Sequence, residues 1–267
     1  MKERSAQNDN IQGMKLLLCG VLLICTAALG IGRLREPAAP NTDRLHEPAA
    51  ANTGWLTEPD AMEEYIDDET VASSSTEWKL LLVNPWNRIP EDFSVELAQL
   101  NSGGAVEAID ARAYPELLDM MDAMSSEGLS PLICSSYRTM EKQQRLYSNK
   151  IEQYLEQGYS QAEAEIEAGK WVAVPGTSEH QLGLAVDITD MSYQLLDEGQ
   201  ALTPVQQWLM DNSYKFGFIL RYPSDKSEIT GINYEPWHYR YVGKEAAKEI
   251  YEKGICLEEY LETLNRS

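Results

Sequence analysis

Two of the three histidines in this chain lie in short polar motifs that read together as one metal site. The first motif is Ser178-Glu179-His180-Gln181-Leu182-Gly183-Leu184-Ala185-Val186-Asp187, and the second is Glu235-Pro236-Trp237-His238. Between them they supply two imidazoles, a carboxylate, and a second carboxylate three residues before the last imidazole. That is the inventory of a hydrolytic zinc centre: three protein ligands, an open position for water, and a base for its proton. His180, Asp187 and His238 are the candidate ligands, and Glu235 is the candidate base. Glu179 rivals it, but it alternates with His180 and is expected to point away. Pro236 holds Glu235 extended and bends the segment. Residues three apart on an ideal strand face opposite sides, so such a bend is required. The spacing from His180 to Asp187 alone is a weak signal, and the second motif is what gives it weight.

Positioning these groups takes a loop, two strands and their supports. The loop around His180 ends at Gly183, where the chain turns without a side-chain clash. Residues 184–188 read as the strand carrying Asp187, and 237–242 as the strand carrying His238. Further strands are expected at 79–83 and 132–135, the latter delivering Ser135-Ser136-Tyr137-Arg138. Helices are expected at 117–124, at 140–157 with an amphipathic spacing through Leu146, Ile151 and Leu155, and after the capping box Ser160-Gln161-Ala162-Glu163. Another starts at Thr203-Pro204 and ends before Gly217, and the last two start at Lys244 and Leu257. Without a parallel βαβ rhythm, the expected class is α+β, a mainly antiparallel sheet with peripheral helices. Tyr137, Tyr239, Tyr241 and Trp237 suit a pocket or a core equally; Met120, Met121 and Met124 suit a core.

The N-terminal third has a different character. Residues 16–31 are uncharged and apolar, preceded by Lys2, Arg4 and Lys15 and followed by Arg33 and Arg35. With Gly32 the run reaches the lower edge of what crosses a bilayer. Its length favours an uncleaved anchor over a cleaved signal. Residues 33–65 repeat with a period of eleven, and a proline in every copy argues against helix. The expected organisation is a cytoplasmic tail (1–15), a membrane-anchor helix (16–32), a disordered tether (33–77) and an exported catalytic domain (78–267). His46 falls in the tether and is a poor ligand candidate.

The formal charge is −21. Residues 1–35 contain 5 basic and 2 acidic side chains, which leaves 17 basic and 41 acidic in the rest, near −24. Nucleic acid and anionic lipid surfaces are therefore excluded as partners of the exported part. Of the four cysteines, Cys134 and Cys256 lie in that part; a disulfide is possible, two buried thiols are the plainer reading. No CxxC exists to build a thiolate site.

Four ordered motifs carry a family resemblance: Ser135-Ser136-Tyr137-Arg138 with Gln143, SEHQLGLAVD, Gly217-Phe218 with Arg221-Tyr222-Pro223, and EPWHYRYVG. Over about residues 79–262 the chain resembles the VanY-type D-alanyl-D-alanine carboxypeptidases, whose group shares a fold with lysostaphin-type peptidases and the hedgehog signalling domain. The resemblance implies one Zn²⁺ held by His180, Asp187 and His238, with Glu235 as base. It also implies Arg138 contacting substrate and its tetrahedral anion, and Ser178 and Gln143 positioning the peptide. From its chemistry Arg138 can equally grip a terminal carboxylate or form a surface ion pair. The implied substrates are peptidoglycan stem peptides ending in D-alanine. L,D-carboxypeptidase or D,D-dipeptidase activity on related peptides is the enzymatic alternative, and a non-catalytic wall-binding module the other.

Overall fold

The stretch that carries Asp187 forms an interior strand, β4 (Ala185–Asp190), with all six residues buried. Its Val, Ile and Thr suit a pleated surface covered on both faces. A computed structural model describes residues 78–102 and 105–266 of the chain. In chain order the elements begin with a hairpin of β1 (Leu97–Ser102) and β2 (Ala105–Asp110). Then follow α1 (Tyr114–Ser126), β3 (Pro131–Ser135), α2 (Met140–Glu156), α3 (Gln161–Gly169) and β4. The remainder is α4 (Pro204–Asn212), β5 (Phe218–Leu220), the single turn α5 (Ser227–Thr230), β6 (His238–Tyr241), α6 (Lys244–Lys253) and α7 (Leu257–Leu264). The main sheet has the order β3-β4-β6-β5 and is antiparallel throughout. The α+β class expected from the sequence is what the described residues adopt.

Register decides what this sheet presents. Asp187 is paired with Ser135 on β3 and with His238 on β6. Directly opposed residues point to the same face, so Ser135, Asp187 and His238 form a row across three strands. The row exists because the β3–β4 ladder shifts register between Ile133 and Ser135, the re-aiming that a bulge performs beside functional sites. On the other face, Val186 and Ile188 enter a core with Leu117, Met120 and Met124 of α1 and Val205 and Leu209 of α4. A smaller cluster joins Ile219 and Val242 to Ala247 and Ile250 of α6 and Leu257 of α7.

Caps mark several helix starts. Thr139, Ser160 and Thr203 each accept a hydrogen bond from the backbone N–H three residues on, and Ser160 and Glu163 complete a reciprocal box.

The described residues depart from the sequence expectations, or add to them, at three points. Residues 79–83 form no strand: a helical turn covers 78–80, and the carbonyls of Lys79 and Leu81 accept from the Arg240 guanidinium, both at 2.9 Å. A buried cation has taken acceptors that a ladder would have used. The β1–β2 hairpin was not anticipated, although Gly103-Gly104 between two alternating stretches is a turn signal. The third concerns α2, whose face is not a core face, since only Gln143 is buried and Leu155 is exposed. No helix among the described residues is long and apolar enough to cross a membrane; the anchor (16–32) and tether (33–77) lie outside the described residues.

Gly217 ends the 3₁₀ turn after α4 with φ +81°, and a Cβ there would stand 2.8 Å from a Tyr241 ring carbon and 3.0 Å from the Gly243 backbone. Left-handed strain and the clash add, so Gly217→Ala is expected to cost about 2–3 kcal/mol. Denaturant unfolding checks this; a change within about 0.5 kcal/mol, the range of neutral surface substitutions, would contradict it.

Candidate metal centre and active-site cleft

His180 enters from a 3₁₀ turn (Glu179–Leu182) closed by Gly183 at φ 71°, a conformation that glycine adopts without strain. The hairpin pins this turn, with the Asp110 N–H donating to the Gly183 carbonyl at 2.8 Å. It also pins Ser136, whose hydroxyl donates to Glu107 at 2.5 Å and accepts from the Ala108 N–H at 2.9 Å. The Ser136 carbonyl in turn lies 2.8 Å from His180 Nδ1. A carbonyl only accepts, so Nδ1 carries the hydrogen and Nε2 keeps its lone pair. That lone pair faces Asp187 Oδ2 at 3.3 Å.

His238 is fixed by the same logic with its nitrogens exchanged. Nε2 lies 3.4 Å from the Glu179 carboxylate, which makes it the donor and leaves the Nδ1 lone pair directed at Asp187 Oδ1, 3.1 Å away. Among the described residues Oδ1 is buried without a hydrogen-bond partner. Three acceptors therefore meet at one point: His180 Nε2, an Asp187 oxygen and His238 Nδ1. All their donor atoms lie within 4.8 Å of one another and all three residues are buried. Lone pairs so placed repel unless a cation stands between them, and two imidazoles with a carboxylate suit zinc.

The charges carry the same demand. Burial lowers the pKa of His238, but Asp187 and Glu179 outweigh it and hold the ring at about 9, so without a metal a proton sits on Nδ1 facing Asp187, in the place a metal cation would take. His180, desolvated and beside Arg138, falls to about 4. Burial raises Asp187, yet His180 and Arg138 hold it well below the usual carboxylate range. Glu179 is desolvated too, but Arg221 and Arg240, each 2.7 Å from its Oε1, keep it ionised. Arg221 continues to Glu258 at 2.7 Å. This buried cluster sits behind His238, so Glu179 is on the far side of the ring from Glu235. The expectation that Glu179 points away named the outcome but not the cause, because a 3₁₀ turn has no strand alternation.

Glu235 is brought to the same side as the ligands by a turn. The His238 N–H donates to the Glu235 carbonyl at 3.1 Å, with Pro236 at the position that proline favours in such turns. Its carboxylate lies 3.7 Å from His238 Nδ1, and burial pushes its pKa to about 8 against the pull of His238. Arg138 donates to Asp187 Oδ2 at 2.6 Å and to Ser135 Oγ at 2.9 Å. Gln143 is buried beneath it, 3.5 Å from its Nη1, and donates to the Ala173 carbonyl at 2.7 Å. Ser178 lines the cavity of about 260 Å³ that opens here, with Trp171, Tyr222 and Trp237 among its walls. Tyr239 and Tyr241 belong to the core instead. Cys134 and Cys256 are free thiols, and only Cys256 is buried; Cys134 is exposed, so the expectation of two buried thiols holds for one of them.

The structure thus brings the candidate ligands His180, Asp187 and His238 together beside Glu235, and sequence reasoning missed the groups that orient them. Glu179, the Ser136 carbonyl and the Arg221/Arg240 pair carry no spacing signal; they are recognisable only once the strands are paired.

Comparison with known proteins gives a consistent result. A family model described as VanY, D-alanyl-D-alanine carboxypeptidase, matches residues 106–244. A D-alanyl-D-alanine carboxypeptidase of Enterococcus faecalis is 55% identical over 188 residues, which span 70% of this chain and 67% of that protein. The solved structure of VanYB in complex with D-alanine-D-alanine is similar with a TM-score of 0.64 and 54% identity, over 70% of this chain and 98% of that one. A glutamate-to-alanine variant of the vancomycin resistance D,D-pentapeptidase VanY, in complex with Zn(II), matches with a TM-score of 0.62 and 53% identity, over 69% and 99%.

Replacing Glu179 leaves two buried guanidinium groups without their shared carboxylate. Glu179→Gln is therefore expected to destabilise the fold by about 3–5 kcal/mol, the cost of breaking a buried pair from one side. Urea unfolding measures it, and a cost under about 1 kcal/mol, typical of exposed pairs, would refute the reading of the cluster.

Proposed function

The chain belongs to the VanY family of D-alanyl-D-alanine carboxypeptidases, and on that footing we propose that it is a zinc peptidase removing the terminal D-alanine from peptidoglycan stem peptides. The observation that carries this reading is the convergence of three buried lone pairs, from His180, Asp187 and His238, beside the carboxylate of Glu235. Zinc bound there supplies a Lewis acid that brings the pKa of water toward neutrality.

The chain's own groups do the rest. Glu235, desolvated at the cavity wall and held ionised where a metal charge would oppose that desolvation, takes the proton of the attacking water and passes it to the departing amine of D-alanine. Arg138 faces the same cavity and opposes the negative charge that develops on the scissile carbonyl oxygen. Gln143 holds Arg138 from below, anchored to the Ala173 carbonyl. Ser178, in the wall beside His180, offers a hydroxyl to the peptide backbone. Glu179 keeps His238 in the tautomer that presents Nδ1, the positioning role that a carboxylate behind a ligating imidazole plays.

The apolar run 16–31 with its basic flanks, followed by the proline-bearing repeat, supports a membrane-anchored protein with an extracytoplasmic catalytic domain. Tethering would raise the effective concentration of wall substrate at the site.

Full-length protein with zinc is expected to release free D-alanine from a peptide ending in D-Ala-D-Ala; chelation stops release and added zinc restores it. Binding without release would favour a wall-binding module, and release of intact D-Ala-D-Ala a dipeptidase. Glu235→Gln should lower kcat by about 10²–10⁴-fold, the usual contribution of a general base, with zinc content unchanged. Loss of the metal together with activity would mean that Glu235 has been given the wrong task.

A further inference from the structure

On α2 (Met140–Glu156), Gln143, Leu146 and Lys150 are spaced three and four residues apart and so share one helix face. At one end Gln143 touches Arg138. Leu146 and Lys150 continue the face along the wall of the catalytic cavity. With a rise of 1.5 Å per residue, Lys150 stands roughly 10 Å along the helix from Gln143. Its ammonium lies 5.7 Å from the centre of the Trp171 ring and 5.8 Å from that of Tyr154, within the range at which aromatic faces attract a cation. Trp171 is itself part of the cavity wall. The two rings hold the charge at the cavity but do not neutralise it.

No carboxylate does so either. Among the described residues Lys150 makes no ion pair, as Lys79, Lys142, Lys215 and Lys244 also make none, but of these Lys150 alone lines the catalytic cavity; Lys170, Lys226, Lys248 and Lys253 each have a glutamate within 4 Å. In a chain of net charge −21, an uncompensated lysine in the substrate cavity has a use for an anion.

We propose that Lys150 is a specificity-determining residue that receives a carboxylate of the substrate, two to three residues before the scissile bond. The inference rests on the carboxypeptidase reading above, which also fixes its direction. A carboxypeptidase substrate has one residue beyond the bond that is cut, so a cation roughly 10 Å along the cavity wall from Gln143, which touches Arg138, meets only the acyl side. An extended peptide advances about 3.4 Å per residue, so roughly 10 Å corresponds to three residues, and the length of the lysine side chain spreads this to two or three. The substrate class is a D-Ala-D-Ala peptide with an acidic group at that distance; its amide would be a poorer substrate.

Two peptides ending in D-Ala-D-Ala test this, identical except that the residues second and third before the scissile bond carry free carboxylates or their carboxamides. D-alanine release by zinc-loaded, full-length protein gives kcat and KM for each. The carboxylate peptide is expected to be preferred about fivefold in kcat/KM, as suits a half-exposed ion pair. The preference should reside in KM and shrink with added salt. K150M should bring the ratio to about one, and K150R should keep it. A wild type without preference, or a K150M variant that retains it, overturns the inference while D-alanine release upholds the peptidase. Release from neither peptide overturns both.

Discussion

Three electron pairs are held at one point inside the protein, and only a cation makes that arrangement tolerable. Asp187 stands at the middle of it. Its strand is paired on both sides, so its position is set by backbone ladders and not by the flexibility of its own side chain. His238 is its neighbour across the ladder, and His180 is delivered by a tight turn one glycine away. Each imidazole is locked by an acceptor behind it: the Ser136 carbonyl for one, the Glu179 carboxylate for the other. These back contacts determine which nitrogen faces the centre, and the two histidines use different ones. The site is thus preorganised, with little left for a metal to arrange.

Keeping Glu179 charged in the interior required its own construction. Two guanidinium groups share one of its oxygens, and the cluster extends to Glu258 on α7 and to the carbonyls of Lys79 and Leu81. The stretch just before the sheet domain is thereby tied through Arg240 and Glu179 to His238. This explains why residues 79–83, apolar enough to read as a strand, have no strand partner. Their acceptors serve the charge cluster, and an unsatisfied buried guanidinium would cost more than a lost ladder.

How much of this was legible follows from the range of each interaction. His180, Asp187, His238 and Glu235 announce themselves because metal chemistry needs specific residue types, and a chain with three histidines leaves few combinations. The bend at Glu235 was legible because Pro236 constrains its neighbour locally. The helix starts at Thr139, Ser160 and Thr203 obey capping rules that act within one turn. By contrast, Glu179's partners lie 42 and 61 residues away, and no local rule reports them. Nor did periodicity distinguish the face of α2 that lines a cavity from one that fills a core, since Leu146 serves either use equally well.

The central claim is tested most directly by anomalous diffraction at the zinc absorption edge from crystals grown with the metal. The account predicts a single peak per chain, roughly 2.0–2.2 Å from His180 Nε2, an Asp187 oxygen and His238 Nδ1, the distances zinc takes to nitrogen and oxygen ligands. A peak bound instead to His238 Nε2, or no peak at these three residues with zinc in excess, would contradict it.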